Sequence, residues 1–115
     1  MNKKYLTNFK NKKDIETSYD TKLSDDIEIL LAWYGYGSYD GSSFVLFRQN
    51  GKLYEVNGSH CSCFRLEGQW KPEETTVKSL KHIVVEGKKF RDYSSGEKEY
   101  GEILLKILNK LDNNA

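Results

Sequence analysis

The alternation of apolar and polar positions is clearest in the middle of the chain. Residues 27–34 are rich in β-branched and aromatic side chains and run into Gly35 and Gly37, the pattern of a strand that ends in a turn. The centre of that strand, Leu30-Leu31-Ala32, does not alternate, which suggests burial on both faces. Residues 43–49 and 52–57 predict two further strands around Asn50-Gly51. A two-residue type I′ turn needs positive φ at both central positions, and Asn-Gly meets that need best. This turn sets Gln49 opposite Lys52, Phe47 opposite Tyr54 and Val45 opposite Val56, with the last two pairs on one core-facing side. Phe44, Leu46 and Leu53 fall on the other side beside Arg48 and Glu55, a face too apolar to be wholly exposed.

Further along, the period changes. Residues 72–85 predict a helix, with Pro72 in the first turn, Glu73 and Glu74 near its positive end, and Lys78, Lys81 and His82 near its negative end. Val77, Leu80 and Val84 give it a narrow apolar stripe, and Gly87 is placed to cap it. Residues 95–111 predict a second helix, opened by a capping box of Ser94 and Glu97. Its stripe is broad: Tyr100, Ile103, Leu104, Ile107, Leu108 and Leu111. The first 25 or so residues are polar and charge-rich. Leu6, Phe9 and Ile15 could dock there as a short helix, or the segment could be a loosely ordered arm.

The order is therefore an arm, three strands and two helices. It predicts an α+β fold: a small antiparallel sheet of about three strands, centred on the Asn-Gly hairpin and packed against two C-terminal helices. With 115 residues there is room for one core, so the expectation is a single domain over 1–115, with 1–25 as the arm and 26–115 as the α+β body. Aromatic residues make up 13% of the chain, enough to build that core from few side chains.

Charge narrows the function classes. Charged residues are 30% of the sequence, yet the net charge is only +1, so no global field favours nucleic acid or an anionic membrane. The longest apolar run, Ile29-Leu30-Leu31-Ala32-Trp33, is far short of the roughly 20 residues that span a bilayer. The basic start Met1-Asn2-Lys3-Lys4-Tyr5 is not followed by the apolar stretch of a signal peptide. These features predict a cytoplasmic protein whose two cysteines are reduced.

Three constellations could carry chemistry. His60, Cys61 and Cys63, with His82, are metal-ligand types, but the cysteine pair is separated by one residue where structural zinc pairs use two to four. The simpler reading is a turn with small, partly buried thiols, and no cofactor or metal is assigned. The same residues could form a thiol nucleophile with His82 as base and Glu67 or Asp92 orienting it, yet the spacing matches no cysteine-protease pattern. Lys88, Lys89 and Arg91, with Phe90 and Tyr93, could contact RNA, although the near-neutral total argues against direct nucleic-acid binding. Finally, Tyr34-Gly35-Tyr36-Gly37-Ser38-Tyr39-Asp40-Gly41 is neither a P-loop nor a dinucleotide fingerprint. Tyrosine, serine and glycine mixed on a loop fit either a recognition surface or an ordinary strand connection. Trp70, preceded by Gln69, reads as a lid over the hairpin.

The stretch from Leu53-Tyr54-Glu55-Val56-Asn57-Gly58-Ser59-His60-Cys61-Ser62-Cys63 to Leu66-Glu67-Gly68-Gln69-Trp70 resembles a motif of small phage and mobile-element proteins. The lysine- and asparagine-rich chain of this size also resembles anti-CRISPR inhibitors, in particular those of type VI, RNA-guided RNA nucleases. The resemblance implies a non-enzymatic binder of a host protein, such as a CRISPR effector nuclease. No site residue comes with it. From the residues themselves, the expected contact set is Tyr34, Tyr36, Tyr39 and Asp40, together with Ser59 and His60. The alternatives are a small metal- or thiol-dependent enzyme built on His60, Cys61, Cys63 and His82, and an RNA-binding accessory protein.

Overall fold

The computed structural model describes residues 5–7, 9–36, 41–60, 66–85 and 97–113. In chain order the elements are β1 (Tyr5–Thr7), α1 (Lys12–Tyr19), β2 (Glu28–Tyr36), β3 (Gly41–Gln49), β4 (Lys52–His60), β5 (Glu73–Thr75), α2 (Val77–Val85) and α3 (Glu97–Asn113). The strands form one sheet in the order β1-β2-β3-β4-β5, and the α+β class is as expected. The sheet is larger than the expected one and it is mixed. β1 runs parallel to β2, while β2, β3 and β4 are antiparallel. The chain divides into two compact units, Met1–Glu74 and Thr75–Ala115.

Asn50 and Gly51 both hold positive φ, 55° and 78°, as a type I′ turn requires. Gln49 faces Lys52, Phe47 faces Tyr54 and Val45 faces Val56, the expected register, but both arms of the hairpin run to nine residues, reaching Gly41 and His60. The turn after Asn57 expected from the sequence is thus still strand. In β2 the pairing slips between Ile29 and Leu31, so Leu30 is a bulge. Beyond it, Leu31 and Ala32 are both buried, on opposite faces, and this is why Leu30-Leu31-Ala32 shows no alternation.

The first unit packs its core on one face of the sheet. Ile29, Ala32, Tyr34, Val45, Phe47 and Val56 meet Phe9, Ile15, Tyr19, Leu23, Ile27 and Leu66, with Tyr5, Tyr54 and Trp70 at the margin. Trp33 and Phe44, directly paired on the other face, stack with ring centroids 4.9 Å apart, and Leu31 and Leu46 beside them are also buried.

Among the described residues, the N-terminal segment is docked rather than loose. Asn11 caps α1 by accepting the Asp14 amide at 3.0 Å, and the Asp14 carboxylate in turn accepts the Lys10 amide at 2.8 Å. Asp20 ends the helix in the left-handed region, with φ at 52°. Ile15 and Tyr19, one helical turn apart, form the buried side.

The helix expected over 72–85 begins only at Val77. Glu73–Thr75 is a strand hydrogen-bonded at the sheet edge, with an exposed Lys52–Glu74 ion pair at 3.4 Å beside it. Thr76 then caps α2, its hydroxyl accepting the Ser79 amide at 3.1 Å. Thr76, a good N-cap residue, starts the helix four residues after Pro72, and the segment before it is taken up by pairing in the sheet. In the second unit, α2 packs against α3, and Leu80, Leu104 and Leu108 are buried. Ile103, Ile107 and Leu111 are half-buried on the stripe expected for α3. Gly87 and Ser94, the expected cap residues, lie outside the described residues.

Candidate functional site

The register brings two segments that are distant in sequence to one end of the sheet. Tyr36 pairs with Gly41, and Gly41 pairs with His60, so the three stand in a row across β2, β3 and β4. The chain between Tyr36 and Gly41, which carries Tyr39 and Asp40, therefore leaves and re-enters the sheet beside His60. Tyr39 and Asp40 themselves lie outside the described residues, as do Cys61 and Cys63.

Beneath this row is a phenol–imidazole contact. The Tyr34 hydroxyl lies 2.6 Å from Nε2 of His60, and the two rings meet edge-on with centroids 5.5 Å apart. Either group supplies the proton, according to the histidine tautomer. Tyr34 is in β2 and His60 in β4, so a ring must cross β3 to make the contact. Neighbouring strands are about 4.8 Å apart, and a large side chain on β3 would block the crossing. The β3 positions at the crossing are Gly41 and Ser43, and Ser43 pairs with Gly58 on β4. The two small β3 residues thus leave the crossing open to Tyr34 and His60, whereas the space over Gly58 is taken by Tyr19 and Leu66. Phe9 packs on the far side of Tyr34 at 5.6 Å.

Tyr34 is only 4% exposed. It lies beneath the surface as the support of His60 rather than on the surface, which corrects the expectation of an exposed contact there. His60 is half-buried and Ser59 exposed, with its side chain on the opposite face of β4. Tyr36 holds its place in the row through its backbone.

A buried hydroxyl chain adjoins the contact. The Tyr19 hydroxyl donates to Oγ of Ser43 at 2.9 Å, and Ser43 donates to the Trp33 carbonyl at 2.9 Å. Tyr19 reaches Ser43 across Gly58: a Cβ at Gly58 would sit 2.9 Å from both the Tyr19 hydroxyl and Cδ2 of Leu66. Burial pushes the Tyr19 phenol up to about 12, with the nearby Tyr34 adding to the rise and the Ser43 hydrogen bond opposing it. Trp70 covers this region as expected, meeting Tyr19 edge-on at 5.2 Å and stacking on Phe47 at 5.8 Å, while Tyr54 stacks on Phe47 at 5.3 Å.

Gln69 holds β4 just before His60. Its Oε1 accepts the Ser59 amide at 2.9 Å and its Nε2 donates to the Ser59 carbonyl at 2.8 Å, so one side chain occupies both backbone groups as a neighbouring strand would. Sequence reasoning passed over Gln69, Tyr19 and Gly58. A side-chain amide that imitates a strand has no sequence signature. The α1 signal was present in Asn11-x-x-Asp14 with Ile15 and Tyr19 one turn apart.

His60 belongs to the first unit and His82, exposed on α2, to the second. Among the described residues no group of three or more histidine, cysteine, aspartate or glutamate side chains is arranged to hold a metal ion. Among them, too, no helix is long and apolar enough to cross a membrane. Compared with protein-family models, curated proteins and solved structures, the chain matches none.

Proposed function

We propose that this chain is a non-enzymatic inhibitor of phage type that binds a host protein in the host cytoplasm. The specific reading is an anti-CRISPR protein that blocks an RNA-guided nuclease of type VI by occupying part of its surface. The class rests on the resemblance of the 53–70 stretch to phage proteins and of the chain's size and composition to anti-CRISPR inhibitors; what supports the choice of surface is the row of Tyr36, Gly41 and His60. It sets the end of β2, where the tyrosine-glycine stretch begins, and the end of β4 at the same end of the sheet. In this reading His60, Tyr36, Tyr39 and Asp40 meet the partner, Ser59 borders them, and Tyr34 holds His60 from below. Tyrosines on a rigid frame give large contact area at low entropic cost.

The test is a titration of the purified chain into a type VI effector loaded with guide RNA and supplied with target RNA. Stoichiometric loss of cleavage, with effector and guide chemically unchanged, is the expected result. Full cleavage in the presence of excess chain would overturn the reading, and inhibition at catalytic amounts would point to an enzyme instead. The double variant Tyr36→Ala/Tyr39→Ala weakens inhibition if the surface is placed correctly. Unchanged inhibition would put the surface elsewhere.

A further inference from the structure

The dipeptide Asn-Gly occurs twice in this chain, at Asn50-Gly51 and at Asn57-Gly58. It is the sequence most open to a spontaneous reaction, because glycine offers no side chain to shield its amide nitrogen. That nitrogen attacks the side-chain carbonyl carbon of the preceding asparagine. A carbon–nitrogen bond forms, the side-chain amide leaves as ammonia carrying away the proton from the glycine nitrogen, and a five-membered imide remains. Water then opens the imide at one carbonyl or the other, giving aspartate or isoaspartate. The reaction needs water and no redox partner.

The sequence alone treats the two sites as equals, and the structure separates them. Asn50 and Gly51 are both exposed and form the tip of the β3–β4 hairpin. Ring closure needs the backbone to leave the left-handed geometry of the turn, but at the end of a ladder that opening is local and cheap. Asn57 and Gly58 lie within the ladder, paired with Phe44 and Ser43. Gly58 is buried beneath the Tyr19 hydroxyl and Leu66, and the Asn57 amide is held by the Glu55 carboxylate at 2.8 Å. Reaction there requires β4 to part from β3.

We propose that Asn50 is a spontaneous deamidation site of this protein, and that the sheet protects Asn57 from the same chemistry. The modification falls where it matters to the fold. Aspartate at position 50 tolerates the positive φ and leaves the turn intact. Isoaspartate adds one methylene to the main chain, so a two-residue turn no longer matches the pairing of Gln49 with Lys52. Either product takes the formal net charge from +1 to zero.

The two sites can be read separately, because trypsin cuts after Arg48, Lys52 and Arg65, releasing residues 49–52 and 53–65 as different peptides. The full chain is incubated in mildly alkaline buffer, folded or in concentrated urea, and mapped by mass spectrometry over time. Folded protein should convert Asn50 at least roughly tenfold faster than Asn57, whereas in urea the two should react at similar rates. Equal rates at both sites in the folded protein would overturn the proposal. So would an Asn50 that stays intact in the folded protein while the urea sample converts. Asn50→Asp serves as the standard for the aspartate product: it should keep the wild-type unfolding midpoint within error, and isoaspartate-containing fractions separated by ion exchange should not.

Discussion

The Tyr34 hydroxyl and Nε2 of His60 lie 2.6 Å apart, although they are 26 positions apart in the chain and a whole strand lies between them. The contact ties β2 to β4 across β3 and fixes the histidine at the sheet end where Tyr36 and Gly41 also lie. Its path runs over what is missing on β3, where Gly41 and Ser43 carry no large side chain between the partners.

Tyr34→Phe isolates the hydroxyl, since the ring can keep its packing on Phe9. The loss of one largely buried hydrogen bond should lower stability by about 1 kcal/mol. In urea titrations the midpoint should fall at unchanged slope. The ring resonances of His60 should shift in the same variant. If both the midpoint and the His60 resonances stay at wild-type values, the contact is not made in solution.

Gly58→Ala should be the more damaging change. Its Cβ meets Leu66 and the Tyr19 hydroxyl at 2.9 Å, and overpacking of this kind costs about 1–3 kcal/mol. Tyr19→Phe alone removes the bond to Ser43 and should cost about 1 kcal/mol. The double variant should lose less than the two singles together, because removing the hydroxyl vacates one of the two close contacts. Strict additivity would mean that Tyr19 does not lie over Gly58.

The central hairpin was legible because its turn needs a backbone conformation that Asn-Gly meets and most dipeptides do not. That one constraint set the pairing from Val45 to Val56. The α3 stripe was legible for a similar reason, a long periodic pattern with a single solution. What escaped was non-local. Tyr5–Thr7 is too short to show a period, and its parallel pairing with β2 depends on chain meeting chain across 27 positions. Glu73–Thr75 looked like a first helical turn because Pro72 and two glutamates suit one, and pairing in the sheet outweighed that preference. At the candidate site, the sequence marked His60 and the tyrosines but placed Tyr34 outside. Only the small residues on the neighbouring strand show that its ring turns inward.

Gln69→Ala tests whether a side chain stands in for a strand. The wild-type amide engages both backbone groups of Ser59, so that position should resist hydrogen exchange more than an exposed strand end normally does. In Gln69→Ala the Ser59 amide should exchange faster by roughly tenfold, while core amides such as Val45 keep their protection. Gln69→Glu should not restore it, because the second carboxylate oxygen would face the Ser59 carbonyl. Unchanged exchange at Ser59 in both variants would mean that Gln69 is not its partner.

The raised phenol of Tyr19 makes a prediction at high pH. The folded value is about 12 and the ordinary value 10.0, with burial as the main cause. The folded state therefore holds this proton more tightly than the unfolded chain does. Below pH 10 both states are protonated and the stability is intact. As pH rises from about 10 to 12 the unfolded chain ionises first, so stability falls across that window, by on the order of 3 kcal/mol in full. Tyr5, also raised by burial, contributes in the same direction. Urea midpoints measured at steps through this range should decline steeply for the wild type and less steeply for Tyr19→Phe, which has no proton to lose there. Parallel declines in the two proteins would show that Tyr19 is solvated rather than sealed between α1 and the sheet.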